Sequence, residues 1–157
     1  MINQINSLDK IITIRHGGYV SNSGLSIRGY YQILELVNKL RPIINNKKVI
    51  IFSSKVNRAT ESAKIIKNEL DIDVIETEIL GTGLAFNRDF AKVMALIQAY
   101  EVDFDIIILM THLSYVDNFP SYYALEAWGK QLYYTGTIRE GQAVINHISD
   151  KKISFIY

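Results

Sequence analysis

The chain has 157 residues, 48% of them hydrophobic and 21% charged, which predicts one globular domain over residues 1–157 with a sizeable core. A net charge of +1 gives no electrostatic reason to expect nucleic acid or a membrane as partner, and the absence of cysteine excludes a disulfide scaffold, a thiolate metal site and a cysteine nucleophile. The N-terminal residues lack the basic and apolar regions of a secretory signal, and no apolar run reaches the roughly 18 residues of a spanning helix, so the expected location is cytoplasmic.

In chain order, the β-branched run Ile11–Ile14 predicts a buried strand that delivers Arg15, His16 and Gly17 to its C-terminal end. Gly17 and Gly18 suit a sharp turn whose backbone N–H groups could approach an anion. Ser26 is a candidate cap for a helix carrying Ile27, Tyr30, Tyr31, Leu34, Val37 and Leu40, which Pro42 should close. Lys48–Phe52 reads as a second strand ending in Ser53 and Ser54, followed by a helix with Ala59, Ala63, Ile66 and Leu70 on one face. Val74 and Ile75 begin a third short strand. After Gly81-Thr82-Gly83, Asn87 is placed to cap a third helix carrying Phe90, Val93, Met94, Ile97 and Tyr100.

Asp105–Met110 predicts a fourth strand leading into Thr111 and His112, and Asn118-Phe119-Pro120 looks like the opening of a fourth helix. The last thirty residues read as short strands at 131–134, 142–148 and 153–157. Strands alternating with helices and then terminal strands predict an α/β fold. It would be a three-layer α/β/α sandwich around a mostly parallel sheet, with an antiparallel contribution near one edge.

Arg15 and His16 after the first strand, Arg58 near the start of the second helix and His112 after the fourth strand share a type of position. Two guanidinium forks and two imidazoles without a matching set of carboxylates suit a phosphate dianion. A metal is disfavoured, because the two histidines bring no third ligand and an arginine beside a cation is repelled. Arg-His-Gly alone is a weak motif, and a strand-end His is more often structural than catalytic. The remaining histidine, His147, reads as a half-buried strand residue. Tyr30, Tyr31, Tyr122, Tyr123, Tyr133 and Tyr134 read as core and rim aromatics, and Trp128 as packing.

On these residues the sequence resembles the histidine phosphatase superfamily that includes the phosphoglycerate mutases. Arg15-His16-Gly17 is similar to its signature, Asn22 falls where many members carry a phosphate-contacting Asn, and Leu25–Gly29 is similar to the family's helix opening. The segment from Ser53 to Ala63 resembles the family's Ser-Ser-Pro-x-x-Arg-Ala-x-Gln-Thr-Ala, with Lys55 in place of Pro, and Thr111-His112 resembles the second-histidine motif. The resemblance implies a phosphoglycerate mutase-like fold and a nucleophilic His16 that forms a phosphohistidine intermediate. It further implies that Arg15, Asn22, Arg58 and His112 hold the phosphate, with no metal and no cofactor.

Many members place a glutamate just beyond the third strand as general acid, where this chain has Gly81 and Thr82. That gap resembles the small SixA-type phosphohistidine phosphatases, which implies a phosphorylated protein of the histidine phosphotransfer type as substrate. The alternative is a phosphatase for small phosphorylated metabolites with an acid recruited from Glu78, Asp89 or Asp117. A third reading is a phospho-ligand binding module without turnover. Gly18 and Tyr19 also depart from the family, which commonly has an acidic residue just after its signature. The sequence names no partner protein and no oligomeric state.

Overall fold

The apolar runs form the central strands of a single sheet. In the computed structural model, which describes residues 6–21, 24–83, 86–134 and 136–157 with only the backbone of 86–88, the strand order is β3-β2-β4-β1-β5-β6. These strands are β1 (Lys10–Arg15), β2 (Val49–Ser54), β3 (Asp73–Thr77), β4 (Ile106–Thr111), β5 (Ala143–His147) and β6 (Lys152–Ile156). The first four are parallel, while β5 runs antiparallel to β1 and β6 antiparallel to β5. The mixed sheet matches the α/β expectation.

Alternate strand residues feed two cores, as a pleated sheet covered on both faces requires. Ile12, Ile14, Ile51, Ile106 and Ile108 pack with α1 (Ile27–Ile44) and α2 (Asn57–Leu70). Ile11, Ile50, Phe52, Ile107 and Leu109 pack on the other face with α3 (Phe86–Tyr100) and α4 (Leu113–Trp128). No helix among the described residues is long and apolar enough to cross a membrane.

Five local expectations are corrected. α1 does not stop at Pro42 but runs to Ile44, because Pro42 and Asn38 are exposed while Ile44 is buried in the core. Water can therefore satisfy the Asn38 carbonyl that proline leaves without a donor. The buried face of α1 is Gly29, Ile33, Leu36, Val37, Leu40 and Ile44, whereas Ile27, Tyr30 and Tyr31 are exposed. Gly29 sets that rotation. A Cβ on it would lie 1.9 Å from the Gly18 carbonyl oxygen, so the helix approaches the turn after β1 with bare backbone.

α4 begins at Leu113, five residues before the expected start, with His112 as its N-cap and Pro120 inside it. Pro120 removes the donor that Val116 O would receive in a regular helix, and the Tyr134 hydroxyl donates to that carbonyl instead. Residues 131–134 accordingly form no strand, and Tyr134 serves the helix from a segment without regular secondary structure. The fifth correction concerns α3, which begins at Phe86, so that Asn87 lies within the helix and does not precede it.

Candidate active site

Parallel pairing brings the strand ends together. Arg15 is in register with Thr111, and the His16 N–H donates to Thr111 O at 3.1 Å, so the two histidines leave adjacent strands side by side. Their ring centroids are 5.2 Å apart. β2 lies on the other side of β4, and its last residue, Ser54, meets His112 Nε2 at 2.8 Å. Arg58, in the first turn of α2, reaches into the same space.

Arg58 connects the group. Its Nε donates to His16 Nε2 at 3.0 Å, and its Nη2 lies 3.5 Å from His112 Nδ1. His16 Nδ1 lies 2.8 Å from Gly17 O, which can only accept, so Nδ1 carries the ring proton and Nε2 the lone pair. Arg58 can only donate, which favours a lone pair on His112 Nδ1 and a proton on Nε2 directed to Ser54 Oγ. The Tyr19 ring covers the guanidinium, with Arg58 Cζ 4.4 Å from its centroid, and stands edge-on to His16 at 5.4 Å.

Both imidazoles are buried and neutral. Burial lowers the His16 pKa to about 4, with Arg58 and Arg15 assisting against the Gly17 carbonyl and Glu140. Burial lowers that of His112 to about 3, helped by His16, Arg58 and Arg15. Both residues should therefore stay uncharged in a proton-NMR titration of the free protein until the pH falls well below the ordinary 6.5, His16 titrating near 4. The unfolded chain takes up these protons first, so between pH 6.5 and about 4 it binds more protons than the native state, and thermal stability should drop as pH falls through that window. Titration of either residue near 6.5 would show that the pocket is wetter than this packing implies.

Arg15 stands beside them. Its Nη1 donates to Ile138 O at 2.9 Å and its Nη2 lies 3.5 Å from Glu140 Oε1, while its buried Nε makes no hydrogen bond among the described residues. The expected use of the glycines is corrected. Gly17 N donates to Ser62 Oγ and Gly18 N to Gln32 Oε1, so neither amide is directed at an anion. Gly17 and Gly18 are instead packing elements, since a Cβ on Gly17 would come within 2.6 Å of Gly29 O.

The structure thus gathers Arg15, His16, Arg58 and His112, while Asn22 lies outside the described residues. Of the candidate acids, Glu78 and Asp89 pair with lysines, while Asp117 lies close enough to Arg15 to feel its charge. Glu78 is 87% exposed and pairs with Lys55 at 3.5 Å. Asp89 pairs with Lys92 at 3.9 Å, and Asp117 accepts from Ile138 N at 3.3 Å. Burial raises the Asp117 pKa, although that hydrogen bond and Arg15 oppose the shift. Tyr19, Ser54, Ser62 and Glu140 received no role in the sequence reading. Ser54 and Ser62 sit inside the matched segments and Tyr19 lies three residues after His16, so adjacency to the motif residues was the available signal. No local signal marked Glu140, which arrives through the turn before β5.

No protein-family model and no curated protein sequence matches the chain. Solved structures do match in fold. A protein assigned as the phosphohistidine phosphatase SixA from Agrobacterium tumefaciens superposes with a TM-score of 0.69 at 11% identity, over 95% of this chain and 98% of that one. The α-ribazole phosphatase from Shigella flexneri gives 0.67 at 14% identity over 94% of each chain. A mycobacterial glucosyl-3-phosphoglycerate phosphatase in complex with VO3 gives 0.65 at 13% identity over 94% and 96%. At these identities the likeness is one of architecture, and the architecture of this chain is that of the phosphoglycerate mutase-like histidine phosphatases.

Proposed function

We propose that this chain is a phosphatase working through a covalent phosphohistidine, and that its substrate is a phosphohistidine on a protein. The chief support is the state of His16: a neutral imidazole, its Nδ1 proton tied to Gly17 O, presenting the Nε2 lone pair to a space shared with Arg58 and His112. A binding module needs the cations but has no need of a nucleophile held in one tautomer.

In the first half-reaction Nε2 attacks phosphorus, the bond from phosphorus to the leaving group breaks, and the leaving group departs with that electron pair. Arg58 exchanges its bond to Nε2 for bonds to phosphoryl oxygens, and Arg15 Nε and His112 complete the cradle. A dianion beside His112 raises its proton affinity, turning Nδ1 from acceptor to donor. In the second half-reaction water attacks the phosphorylated His16, the phosphorus–nitrogen bond breaks, and Nε2 recovers its lone pair.

The leaving group decides between substrates. Expelling an alkoxide requires proton delivery worth roughly 10²–10⁴ in rate. Glu78 is turned to Lys55 in solvent, and Asp89 is engaged with Lys92. A phosphorylated imidazole needs less help, because an ordinary His has a pKa of about 6.5 and leaves as a neutral ring once protonated. The fold neighbour assigned as SixA supports this choice, and the α-ribazole phosphatase supports the small-ester alternative. The two are separated by kcat/KM on a phosphohistidine peptide, a phosphoserine peptide and an aryl phosphate. Phosphohistidine should come first, the aryl ester second and phosphoserine near background. Phosphoserine turnover equal to that of phosphohistidine would establish the ester reading.

A further inference from the structure

Glu140 has no part in the scheme above, yet its backbone is clamped to the nucleophile. The amide of the next residue, Gly141, donates to Arg15 O at 3.0 Å and to His16 O at 3.2 Å. The turn is closed on itself, since Arg139 N donates to Gln142 Oε1 at 2.8 Å and Gln142 N to Arg139 O at 3.1 Å. Arg15 fixes the turn from the side-chain direction, with Nη1 on Ile138 O and Nη2 3.5 Å from Glu140 Oε1. Gly141 permits this close seat. Its φ is +75°, and a Cβ there would come within 2.9 Å of Gln32 Cβ.

The Glu140 side chain is 33% exposed, so its carboxylate faces both the arginine and water. It also acts on the His16 imidazole, opposing the two arginines there. Of the other carboxylates, Glu78 pairs with Lys55 and Asp89 with Lys92, and Asp117, which also feels Arg15, accepts from the Ile138 amide. A carboxylate that Arg15 holds in place and that is also open to water is positioned to accept a proton and pass it on.

We propose that Glu140 is the general base of the second half-reaction, accepting a proton from the water that hydrolyses phosphorylated His16. This assignment rests on the covalent mechanism proposed above. The water oxygen forms the new bond to phosphorus, its proton passes to the Glu140 carboxylate, and the phosphorus–nitrogen bond breaks with its electron pair returning to Nε2. The proton then leaves to solvent through the exposed side of the carboxylate. This explains how a site without an acid for the leaving group completes its cycle. The first step draws on a leaving group that is easily protonated, and the second on a base.

The two half-reactions are separated by rapid quench with radiolabelled phosphoramidate, following label on the wild-type protein, Glu140→Gln and Glu140→Asp. In Glu140→Gln, label should reach His16 at nearly the wild-type rate and remain there, with hydrolysis slowed roughly 10²–10⁴-fold. Glu140→Asp should recover part of the hydrolysis rate. If Glu140 served only to position Arg15, Glu140→Gln would slow the loading of His16 and raise KM without accumulation of adduct, and the proposal would fall. Equal decay of the adduct in all three proteins would also overturn it. If turnover proceeds with no adduct on wild-type His16, the covalent reading itself fails and takes this assignment with it.

Discussion

His16→Ala should abolish turnover, by a factor on the order of 10⁶ by analogy with removal of other covalent nucleophiles, and it should also abolish the trapped phosphoenzyme. Alanine removes the lone pair at Nε2, and His112 is badly placed to replace it. His112 is held through Nε2 at Ser54 Oγ, 2.8 Å away, and its Nδ1 faces Arg58 Nη2 at 3.5 Å. The label in the wild-type protein should be acid-labile and base-stable, as a phosphorus–nitrogen bond is. The variant should remain folded, because Gly17 and Gly29 still pack and the His16 backbone still pairs with Thr111 and Gly141. A His16→Ala protein that turns over normally would end the covalent mechanism.

Arg58→Ala should reduce kcat/KM by at least 10²–10³, about 3 kcal/mol or more by analogy with the loss of an oxyanion donor. One side chain here approaches His16, His112 and Tyr19 together, so its removal frees both imidazoles and, in the proposed mechanism, takes away a phosphate ligand. Lys55→Ala is the contrasting change. Lys55 is 53% exposed and engages Glu78, itself 87% exposed, at 3.5 Å, a type of pair worth about 0–1 kcal/mol. Comparable losses in the two variants would show that the phosphate sits nearer Lys55 than the histidines.

What could be read from the sequence follows from range. β1, β2 and β4 are short apolar runs that specify themselves, and Arg15, His16 and His112 are legible because each directly follows such a run. Arg58 is legible because the segment around it resembles a known pattern. Misreadings arose where a residue answers to a distant partner. Pro120 looks like a helix start in isolation, but Tyr134 supplies the missing donor and the helix continues through it. The face of α1 follows from Gly29 meeting Gly18, an approach that periodicity does not encode. The search for a carboxylate near the third strand could not find Glu140, which is tied to Arg15 across the sheet end.

The hydrogen bond from Arg58 to His16 Nε2 also bears on how the protein empties itself. In the proposed cycle inorganic phosphate is the final product, and it can hold Arg58 only by displacing an acceptor already in place, so its net gain is the difference between two hydrogen-bonded arrangements and not a full ion pair. During reaction the comparison changes. Once Nε2 is bonded to phosphorus it can no longer accept, and the guanidinium has no competing claim. Arg58 therefore favours the charge that develops during transfer over the phosphate that remains afterwards. The resting pocket closes on itself as product departs, which should make inorganic phosphate a weak inhibitor and oxyanions that bond to Nε2 strong ones.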